Sequence, residues 1–193
     1  MKNFAIIGVA GYIAPRHLKA IKDTKNNLVA ALDPSDNVGV LDNFFPETAF
    51  FTEFERFDKY LFKINNTNKK VNYLTICSPN YLHDSHIRYG LRNNFDVICE
   101  KPLVINYRNL KNVSSIEKLS KGNVKCILQL RYHQSILKLK QSLKKNSKVN
   151  EVKLTYITPR GNWYHHSWKG DINKSGGILT NIGIHFFDLL QWV

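Results

Sequence analysis

The sequence predicts an α/β protein, in which a doubly wound parallel sheet is followed by the start of an incomplete α+β domain. Apolar runs of strand length alternate with amphipathic helical segments from residue 4 to about residue 130. The first run breaks into a turn of small residues that leads into a helix, and the second run ends in the acid Asp33. Such alternation is typical of parallel sheets covered by helices on both faces. We expect a first domain at residues 1–123, with its sixth strand and crossover reaching about residue 133, and a partial second domain at residues 134–193.

Each element follows from its local pattern. Predicted strands are apolar runs bounded by polar or turn-forming residues, and predicted helices carry apolar residues at intervals of three and four. The first predicted strand begins at residue 4 and breaks into the small-residue turn at residues 8–13. The other predicted strands are residues 28–33, 49–51, 71–77, 96–99 and 124–130, with an alternating strand at 151–158. The predicted helices are residues 15–21, 38–45, 54–64, 80–93, 106–120, 136–145 and 184–193. The last helix ends without Gly, Asn or a basic turn, so its final carbonyls are expected to be uncapped.

Composition indicates a globular protein. With 193 residues and 43% hydrophobic content, the chain is long enough for one full domain and part of a second. No apolar run approaches the ~18 residues of a membrane span, and Met1 leads into the first strand without room for a signal peptide, so we expect a cytoplasmic protein with no membrane partner. Cys77, Cys99 and Cys126 lie inside strand-like runs without metal-ligand spacing, which favours buried reduced thiols.

The formal charge of +13 raises the question of nucleic-acid binding. The lysines are scattered along helix faces and turns, and there is no arginine-rich arm or DNA- or RNA-binding signature. We therefore expect no nucleic-acid partner. The basic balance is equally compatible with an anionic small substrate such as a nucleotide sugar.

The turn after the first strand is the first candidate site. In the G-x-G-x-x-G frame the three positions are Gly8, Ala10 and Ile13, with an additional Gly11, so the match is imperfect. Small residues let backbone amides approach a pyrophosphate at the helix N-terminus. Asp33 follows about 20 residues later, where a carboxylate accepts ribose hydroxyls and repels a 2′-phosphate, which favours NAD over NADP. The alternative for Asp33 is a turn cap.

Two further strand ends carry polar residues. Lys101 follows a short apolar run and precedes Pro102, so we expect it at the carboxyl edge of the sheet, where open α/β sheets bind ligands. It is a candidate acid/base or substrate-charge group, and the alternative is an ordinary solvated lysine. After the strand at 71–77, Ser78 and Asn80 are candidate caps on structural grounds alone, and His83 and His86 would lie on the helix surface.

The loop at residues 160–170 has the composition of a carbohydrate or nucleotide surface. Its candidate ligand groups are Arg160 for an anionic oxygen, Asn162, Ser167 and Lys169 for hydroxyls or a carboxylate, and Trp163 and Tyr164 for stacking. The adjacent His165 and His166 have no third ligand at suitable spacing, so we expect no metal.

Four of these motifs, in this order, resemble the glucose–fructose oxidoreductase/inositol dehydrogenase family (Gfo/Idh/MocA). They are the turn at 8–13, the run Cys77-Ser78-Pro79-Asn80 with His83, the segment Glu100-Lys101-Pro102, and Gly176-Gly177 followed by Asn181 and His185. Residues 8–17 and 158–164 resemble the branch that contains UDP-N-acetylglucosamine and UDP-N-acetylglucosaminuronate 3-dehydrogenases of O-antigen and lipopolysaccharide synthesis. The resemblance runs from Lys2 to the last residue.

The resemblance implies an NAD-dependent oxidoreductase that oxidises the 3-hydroxyl of a UDP-N-acetylamino sugar. It implies cofactor contacts from Gly8, Gly11, Tyr12, Ile13, Asp33, Cys77, Ser78, Asn80, His83, Glu100, Lys101 and Arg131. The implied substrate contacts are Lys101, Arg160, Asn162, Trp163, Ser167, Lys169, Asn181 and His185. Asn181 stands where the family usually has an aspartate, which leaves Lys101 and His185 as candidates for the base. Neutral His185 suits that role chemically, but a core histidine is its structural alternative.

The resemblance also implies a longer second domain, because the family normally continues beyond the last helix with strands that form the substrate floor and the oligomer interface. We therefore expect a truncated chain, and a homo-oligomer for the full-length family member. Three hypotheses remain open: an NAD-dependent nucleotide-sugar 3-dehydrogenase, a non-catalytic dinucleotide-binding remnant, and a basic nucleic-acid-binding protein.

Overall fold

The computed structural model describes residues 1–144 and 151–193, and these divide into two compact units, Met1–Cys126 and Ile127–Val193. The first unit is built on six parallel strands. They are β1 (Asn3–Ile7), β2 (Asn27–Leu32), β3 (Ala49–Phe51), β4 (Tyr73–Ile76), β5 (Asp96–Cys99) and β6 (Val124–Cys126). Their order in the sheet is β3-β2-β1-β4-β5-β6. This order confirms the predicted doubly wound α/β fold.

The strand order places a topological switch point between β1 and β4. The chain runs outward from β1 through β2 to β3, then returns to pair β4 with β1 and continues outward through β5 to β6. In open α/β sheets, ligands bind beside such a point, outside the carboxyl ends of the strands. The residues directly after β1, β2, β4 and β5 therefore surround the expected crevice.

Five helices complete the first unit. They are α1 (Ala14–Asp23), α2 (Val40–Phe44), α3 (Phe54–Ile64), α4 (His83–Arg92) and α5 (Tyr107–Glu117). A short 3₁₀ segment, Asn80–Leu82, precedes α4, so the predicted cap at Asn80 lies one short helical segment ahead of the α-helix. At α5, the Asn106 side chain accepts from the backbone N–H of Arg108 and caps the helix start.

Two buried clusters lie on the two faces of the sheet because alternate strand residues point in opposite directions. On β1, Ala5 and Ile7 belong to the cluster that includes Leu61 of α3 and Leu91 of α4. Phe4 and Ile6 belong to the other cluster, with Leu18 and Ile21 of α1 and Leu41 of α2. Covering both faces with helices buries the near-continuous apolar strands that the sequence shows.

The second unit is helical in its described part. It contains a 3₁₀ segment, Gln129–Tyr132, then α6 (Gln134–Lys144), α7 (Trp163–His166), α8 (Ile172–Ser175), a π-helical segment, Leu179–Gly183, and α9 (Ile184–Trp192). The predicted strand 124–130 ends at Cys126, because the chain turns into the 3₁₀ segment. Lys145, the predicted last residue of α6, lies outside the described residues. No helix within the described ranges is long and apolar enough to cross a membrane.

Two predictions for the second unit were wrong. Residues 151–158 form no strand, although they alternate. A strand is defined by pairing with a neighbour, and the described part of this unit contains no other strand to pair with. The expectation of uncapped carbonyls at the end of α9 was wrong for Trp192, since Lys140 donates from Nζ to its carbonyl and lies 3.7 Å above its ring. This cap comes from 52 residues away, so local sequence could not indicate it.

Candidate dinucleotide-binding and active site

The turn after β1 is shaped by two glycines. Gly8 has φ of +87°, and a Cβ there would lie 2.5 Å from the backbone N of Ser78 and 2.6 Å from the carbonyl carbon of Cys77. A Cβ at Gly11 would lie 3.0 Å from the carbonyl oxygen of Gly8. Any larger residue at position 8 would therefore collide with the end of β4, and its backbone conformation also favours glycine. The turn is a compact cradle at the N-terminus of α1, which fits a pyrophosphate.

The side chains of this turn divide between the core and the surface. Ile13 is half-buried, and Tyr12 is 84% exposed. The guanidinium of Arg16, in the first turn of α1, lies 6.0 Å from the Tyr12 ring centroid. The helix start therefore presents an exposed aromatic and a cation beside the glycine cradle, at the end of the helix that carries partial positive charge.

Asp33, directly after β2, is tied to the same cradle. Its Oδ2 accepts from the backbone N–H of Ala10 at 3.0 Å, and its Oδ1 accepts from that of Ser35 at 2.9 Å. The residue is 9% exposed. Asp33 therefore caps the turn at Ser35, as the alternative interpretation predicts, and it also lies beside the glycine turn. Each carboxylate oxygen keeps a second acceptor position, so these bonds are compatible with accepting ribose hydroxyls.

The residues after β4 are more buried than helical periodicity indicates. Ser78, Asn80 and His83 are all buried, so the prediction of a surface position for His83 was wrong. His83 lies with Nδ1 2.7 Å from the carbonyl oxygen of Pro102 and Nε2 2.9 Å from that of Ser78. Burial lowers the pKa of His83, while these two carbonyls and the charge of Glu100 oppose that shift. His83 therefore ties the loop after β4 to the loop after β5.

His86 is half-buried rather than on the surface as predicted. Its Nδ1 lies 2.9 Å from Oγ of Ser78, and its ring stacks on Phe54 at 5.9 Å between centroids. Burial, with a smaller contribution from His83, lowers the pKa of His86 from 6.5 to about 4. The imidazole is therefore neutral at physiological pH and fixes the hydroxyl of Ser78.

The segment after β5 carries the candidate catalytic lysine. Lys101 is half-buried at the carboxyl edge of the sheet, and the Lys101–Pro102 peptide bond is cis. Next to it, Oε1 of Glu100 lies 2.8 Å from Nε2 of His17 in α1, and both side chains are about one-eighth exposed, at 12% and 13%. Sequence reasoning missed His17. Its signal was a histidine two residues after Pro15, on the helix that follows the glycine turn.

The cysteines lie at the ends of neighbouring strands. Cys99 of β5 is paired in register with Cys126 of β6, and Cys77 directly follows β4. Burial raises the pKa of the Cys77 and Cys99 thiols, with a smaller contribution from the charge of Glu100. Both thiols are therefore neutral and contribute shape rather than charge to the edge of the sheet.

The remaining predicted site residues belong to the second unit. Arg131 forms a bidentate ion pair with Asp188 of α9. Asn181 lies in the π-helical segment, and His185 lies in the first turn of α9; both are half-buried. Lys101 and His185 thus lie in different units.

The loop at 160–170 is partly ordered by its own aromatic residues. The guanidinium of Arg160 lies 5.4 Å from the Tyr164 ring centroid, and Nζ of Lys169 lies 5.5 Å from that of Trp163. Asn162 precedes α7, and Oγ of Ser167 donates to the carbonyl of Tyr164. Arg160 and Asn162 are exposed, which suits recognition, whereas Ser167 closes the end of α7. Within the described ranges, no three His, Cys, Asp or Glu residues are grouped to hold a metal ion.

Comparison with models of known protein families shows which family the chain belongs to. Residues 2–127 match the model of the oxidoreductase family with an NAD-binding Rossmann fold, Gfo/Idh/MocA, and residues 140–193 match the C-terminal α/β domain of the same family. The chain belongs to the Gfo/Idh/MocA oxidoreductase family. The resemblance carried by the four motifs is thereby confirmed, and the glycine cradle with Asp33 belongs to an NAD-binding domain.

Solved structures of two WlbA dehydrogenases are similar to this chain. The chain is similar to the WlbA (WbpB) dehydrogenase from Thermus thermophilus, with 51% identity and a TM-score of 0.95 over 100% of this chain and 62% of that one. Crystal structures of that protein contain NAD with α-ketoglutarate or with UDP-GlcNAcA. The WlbA dehydrogenase from Bordetella pertussis, with 20% identity and a TM-score of 0.82 over 99% of this chain and 56% of that one, shows the same fold.

A curated relative has a different substrate. The glucose-6-phosphate 3-dehydrogenase of Bacillus subtilis is 28% identical over 100% of this chain and 54% of its own length. The chain therefore spans about half the length of that relative and under two thirds of the Thermus protein. The names of these relatives specify different substrates, so family membership does not by itself name a substrate for this chain.

Proposed function

We propose that this Gfo/Idh/MocA member is an NAD-dependent dehydrogenase that oxidises the 3-hydroxyl of UDP-GlcNAcA or UDP-GlcNAc. We propose further that it acts in the synthesis of O-antigen lipopolysaccharide. The observation that carries the proposal is the 51% identity over the whole chain to a Thermus thermophilus dehydrogenase crystallised with NAD and UDP-GlcNAcA. An intracellular nucleotide-sugar step also suits a cytoplasmic protein, and we extend the proposal to a homo-oligomer for the full-length protein.

The proposed dinucleotide contacts follow the carboxyl edge of the first unit. Gly8, Gly11, Tyr12 and Ile13 would hold the pyrophosphate side, and Asp33 would accept the adenine ribose hydroxyls. Cys77, Ser78, Asn80, His83, Glu100 and Lys101 would surround the nicotinamide side, with Arg131 as a further contact. Two observations support this assignment. A Cβ at Gly8 would fill the cradle, and Asp33 accepts a hydrogen bond from the backbone N–H of Ala10. When bound, NAD supplies the hydride acceptor.

Lys101 and His185 are the proposed acid/base pair. Oxidation of a hydroxyl requires a group that removes its proton as the carbonyl forms. An imidazole is suited to take that proton near neutral pH, and a lysine ammonium is suited to stabilise the developing oxyanion. The half-buried position of Lys101 at the end of β5 supports its role, because a ligand beside the switch point lies at that edge.

The proposed substrate contacts are in the second unit. Arg160 would pair with an anionic oxygen, Asn162, Ser167, Lys169 and Asn181 would bind hydroxyls or the sugar carboxylate, and Trp163 would stack. The exposure of Trp163, at 55%, supports this assignment because a stacking residue must be accessible to its ligand.

The test is a paired measurement on a chain extended to carry the complete second domain of the family. NADH binding is followed by fluorescence titration, and NAD reduction is measured with UDP-GlcNAcA and UDP-GlcNAc, with NMR of the product to locate the new carbonyl. We expect a 3-keto product, and Lys101→Met and His185→Asn should each slow hydride transfer by ~10²-fold or more with nearly unchanged NADH affinity. Lys63→Met is a matched control, because it removes an exposed lysine of α3 that belongs to neither the proposed dinucleotide contacts nor the proposed substrate contacts.

Two outcomes contradict the proposal in different ways. A carbonyl at another carbon would overturn the position of oxidation. NADH binding without oxidation of either sugar nucleotide would favour the alternative, a non-catalytic dinucleotide-binding remnant.

A further inference from the structure

Asp188 of α9 belongs to none of the proposed contacts with cofactor or substrate, yet its carboxylate is only 11% exposed. Its Oδ2 accepts from Nε of Arg131 at 2.8 Å, and its Oδ1 accepts from Nη2 of the same guanidinium. A planar guanidinium that meets a carboxylate at two points fixes the relative orientation of the two groups as well as their separation. The contact therefore restrains the direction in which Asp188 faces.

The pair is placed to control the direction of a second side chain on the same helix. His185 lies in the first turn of α9, three residues before Asp188. Residues three apart in an α-helix lie on the same face, about one turn from each other. A rotation of α9 large enough to break the contact with Arg131 would therefore also redirect the imidazole.

Close packing contributes little to the orientation of α9. In the described part of the second unit no apolar side chain is buried, so helix rotation is not fixed by an interlocked core as it is in the first unit. A ring contact joins Tyr156 to Phe186 at 5.2 Å, and Lys140 caps Trp192 at the last turn. The ion pair with Arg131, one turn from the imidazole, is more directional than either contact.

We propose that Asp188 is a positioning residue: paired with Arg131, it sets the orientation of α9 and thereby the direction of the His185 imidazole. The inference rests on the proposed function, in which His185 belongs to the acid/base pair. A catalytic group displaced by about 1 Å can slow a reaction by about 10²-fold. Asp188 acts through the helix and does not itself contact the reacting atoms, while Arg131 keeps its proposed cofactor contact.

The first test follows the imidazole directly, in the 193-residue chain. Proton–carbon NMR signals of the histidine rings are recorded, and the His185 signal is identified by its loss in His185→Asn. Asp188→Asn and Arg131→Met should both shift that signal, because each change removes the two-point contact. If His185 felt only the lost charge, the two variants would shift its signal in opposite directions. A change in orientation should shift it in the same direction in both.

Two further variants separate this effect from general loosening of the second unit. Lys140→Met removes the contact at the last turn of α9 and should shift the His185 signal less than Arg131→Met does. Glu151→Gln is the matched acid-to-amide control at an exposed position of the same unit, and it should leave the signal unchanged.

The second test measures hydride transfer in a chain extended to carry the complete second domain, with NAD and UDP-GlcNAcA at saturation. Asp188→Asn and Arg131→Met should each slow this step about tenfold or more. The double variant should be no slower than the slower single variant, because the two side chains act as one unit. NADH affinity should be nearly unchanged in Asp188→Asn, since the glycine cradle lies in the first unit.

The two proposals fail in different ways. An unchanged His185 signal in Asp188→Asn, shifts of opposite direction in the two single variants, or rate losses that multiply in the double variant would overturn the positioning role alone. An extended chain that oxidises neither sugar nucleotide would overturn the proposed function, and the NMR comparison would then decide the positioning role by itself.

Discussion

The two units differ in how much of their sequence is buried. In the described part of the chain, every residue of the hydrophobic core lies in Met1–Cys126, and Ser175 is the buried residue of Ile127–Val193. In the first unit, each helix packs its apolar face against a six-stranded sheet. In the second, Ile178, Leu179 and Phe187 remain at least half exposed. The sheet thus concentrates both stability and the positions of the candidate cofactor residues in the first unit.

This difference also separates two kinds of site residue. Gly8, Asp33 and His83 contact the backbone of the segments that follow neighbouring strands, and these contacts fix them before any ligand arrives. Arg160 and Trp163 lie in an exposed loop whose contacts are mainly ring contacts within the loop itself. Substitutions should therefore have large effects on folding in the first group and effects mainly on binding in the second.

The largest expected effect is that of Gly8→Ala. The new Cβ would lie 2.5 Å from the backbone N of Ser78, and alanine would be strained at φ of +87°. We expect a loss of about 4 kcal/mol in the free energy of unfolding and loss of NADH binding, measured by denaturant unfolding and fluorescence titration. Gly39→Ala is the control, because nothing lies within 4 Å of its added Cβ. If Gly8→Ala lowers the free energy of unfolding by less than about 1 kcal/mol, the backbone that follows β4 moves to accommodate the methyl group.

A leucine-to-alanine substitution in one helix of each unit tests whether stability is concentrated in the first unit. Leu91 of α4 is 1% exposed, and Leu190 of α9 is 46% exposed. Leu91→Ala should destabilise the chain by about 3 kcal/mol, because it removes buried methyl groups and leaves a cavity. Leu190→Ala should cost less than about 1 kcal/mol, measured in the same denaturant titration. Equal costs would contradict a stability concentrated in the first unit.

Strand–helix alternation was sufficient to predict the doubly wound sheet, because each apolar run has a length and an ending that suit one element. The buried histidines were harder. Periodicity gives the face of a helix, but the burial of His83 depends on the loop after β5, whose Pro102 carbonyl contacts its ring. The contact of His17 with Glu100 spans 83 residues, and no local pattern could indicate it.

The errors in the second unit have a similar cause. The alternation at 151–158 satisfies the pattern of a strand, but a strand also needs a partner, and pattern alone does not supply one. The cap on Trp192 comes from Lys140 on another helix. Local signals are therefore least informative where the deciding contact is made with a distant segment.

The neutral state of His86 predicts a pH dependence in the stability of the first unit. Its pKa is about 4 when folded and 6.5 ordinarily, so the unfolded chain binds its proton more readily. This contribution to stability is complete above pH 6.5 and is lost as the pH falls towards 4. Between about pH 7 and pH 4.5, His86 should account for a loss of about 2 kcal/mol.

Denaturant titrations across this pH range measure the effect. His86→Gln should flatten the pH dependence but not abolish it, because burial also lowers the pKa of His83. His133→Gln, in the second unit, should leave the dependence unchanged. If His86→Gln retains the full dependence, the unfolding equilibrium is governed by other groups and the burial of His86 is not the cause.

The smallest expected effect concerns cofactor choice, and it tests whether the fixed geometry of the first unit also confers specificity. Asp33 ends β2 beside the glycine turn, where a 2′-phosphate would meet a buried carboxylate. The chain should therefore bind NADH more tightly than NADPH by at least ~1.4 kcal/mol, about tenfold, in fluorescence titrations. Asp33→Ser should reduce the difference between the NADH and NADPH affinities. Asp33→Asn should also reduce it while keeping an acceptor for the N–H of Ala10, which would assign the effect to charge. Asp36→Asn, which removes an exposed acid nearby, should preserve the preference. Equal or reversed affinities in the unaltered chain would show that the carboxylate is directed away from the ribose.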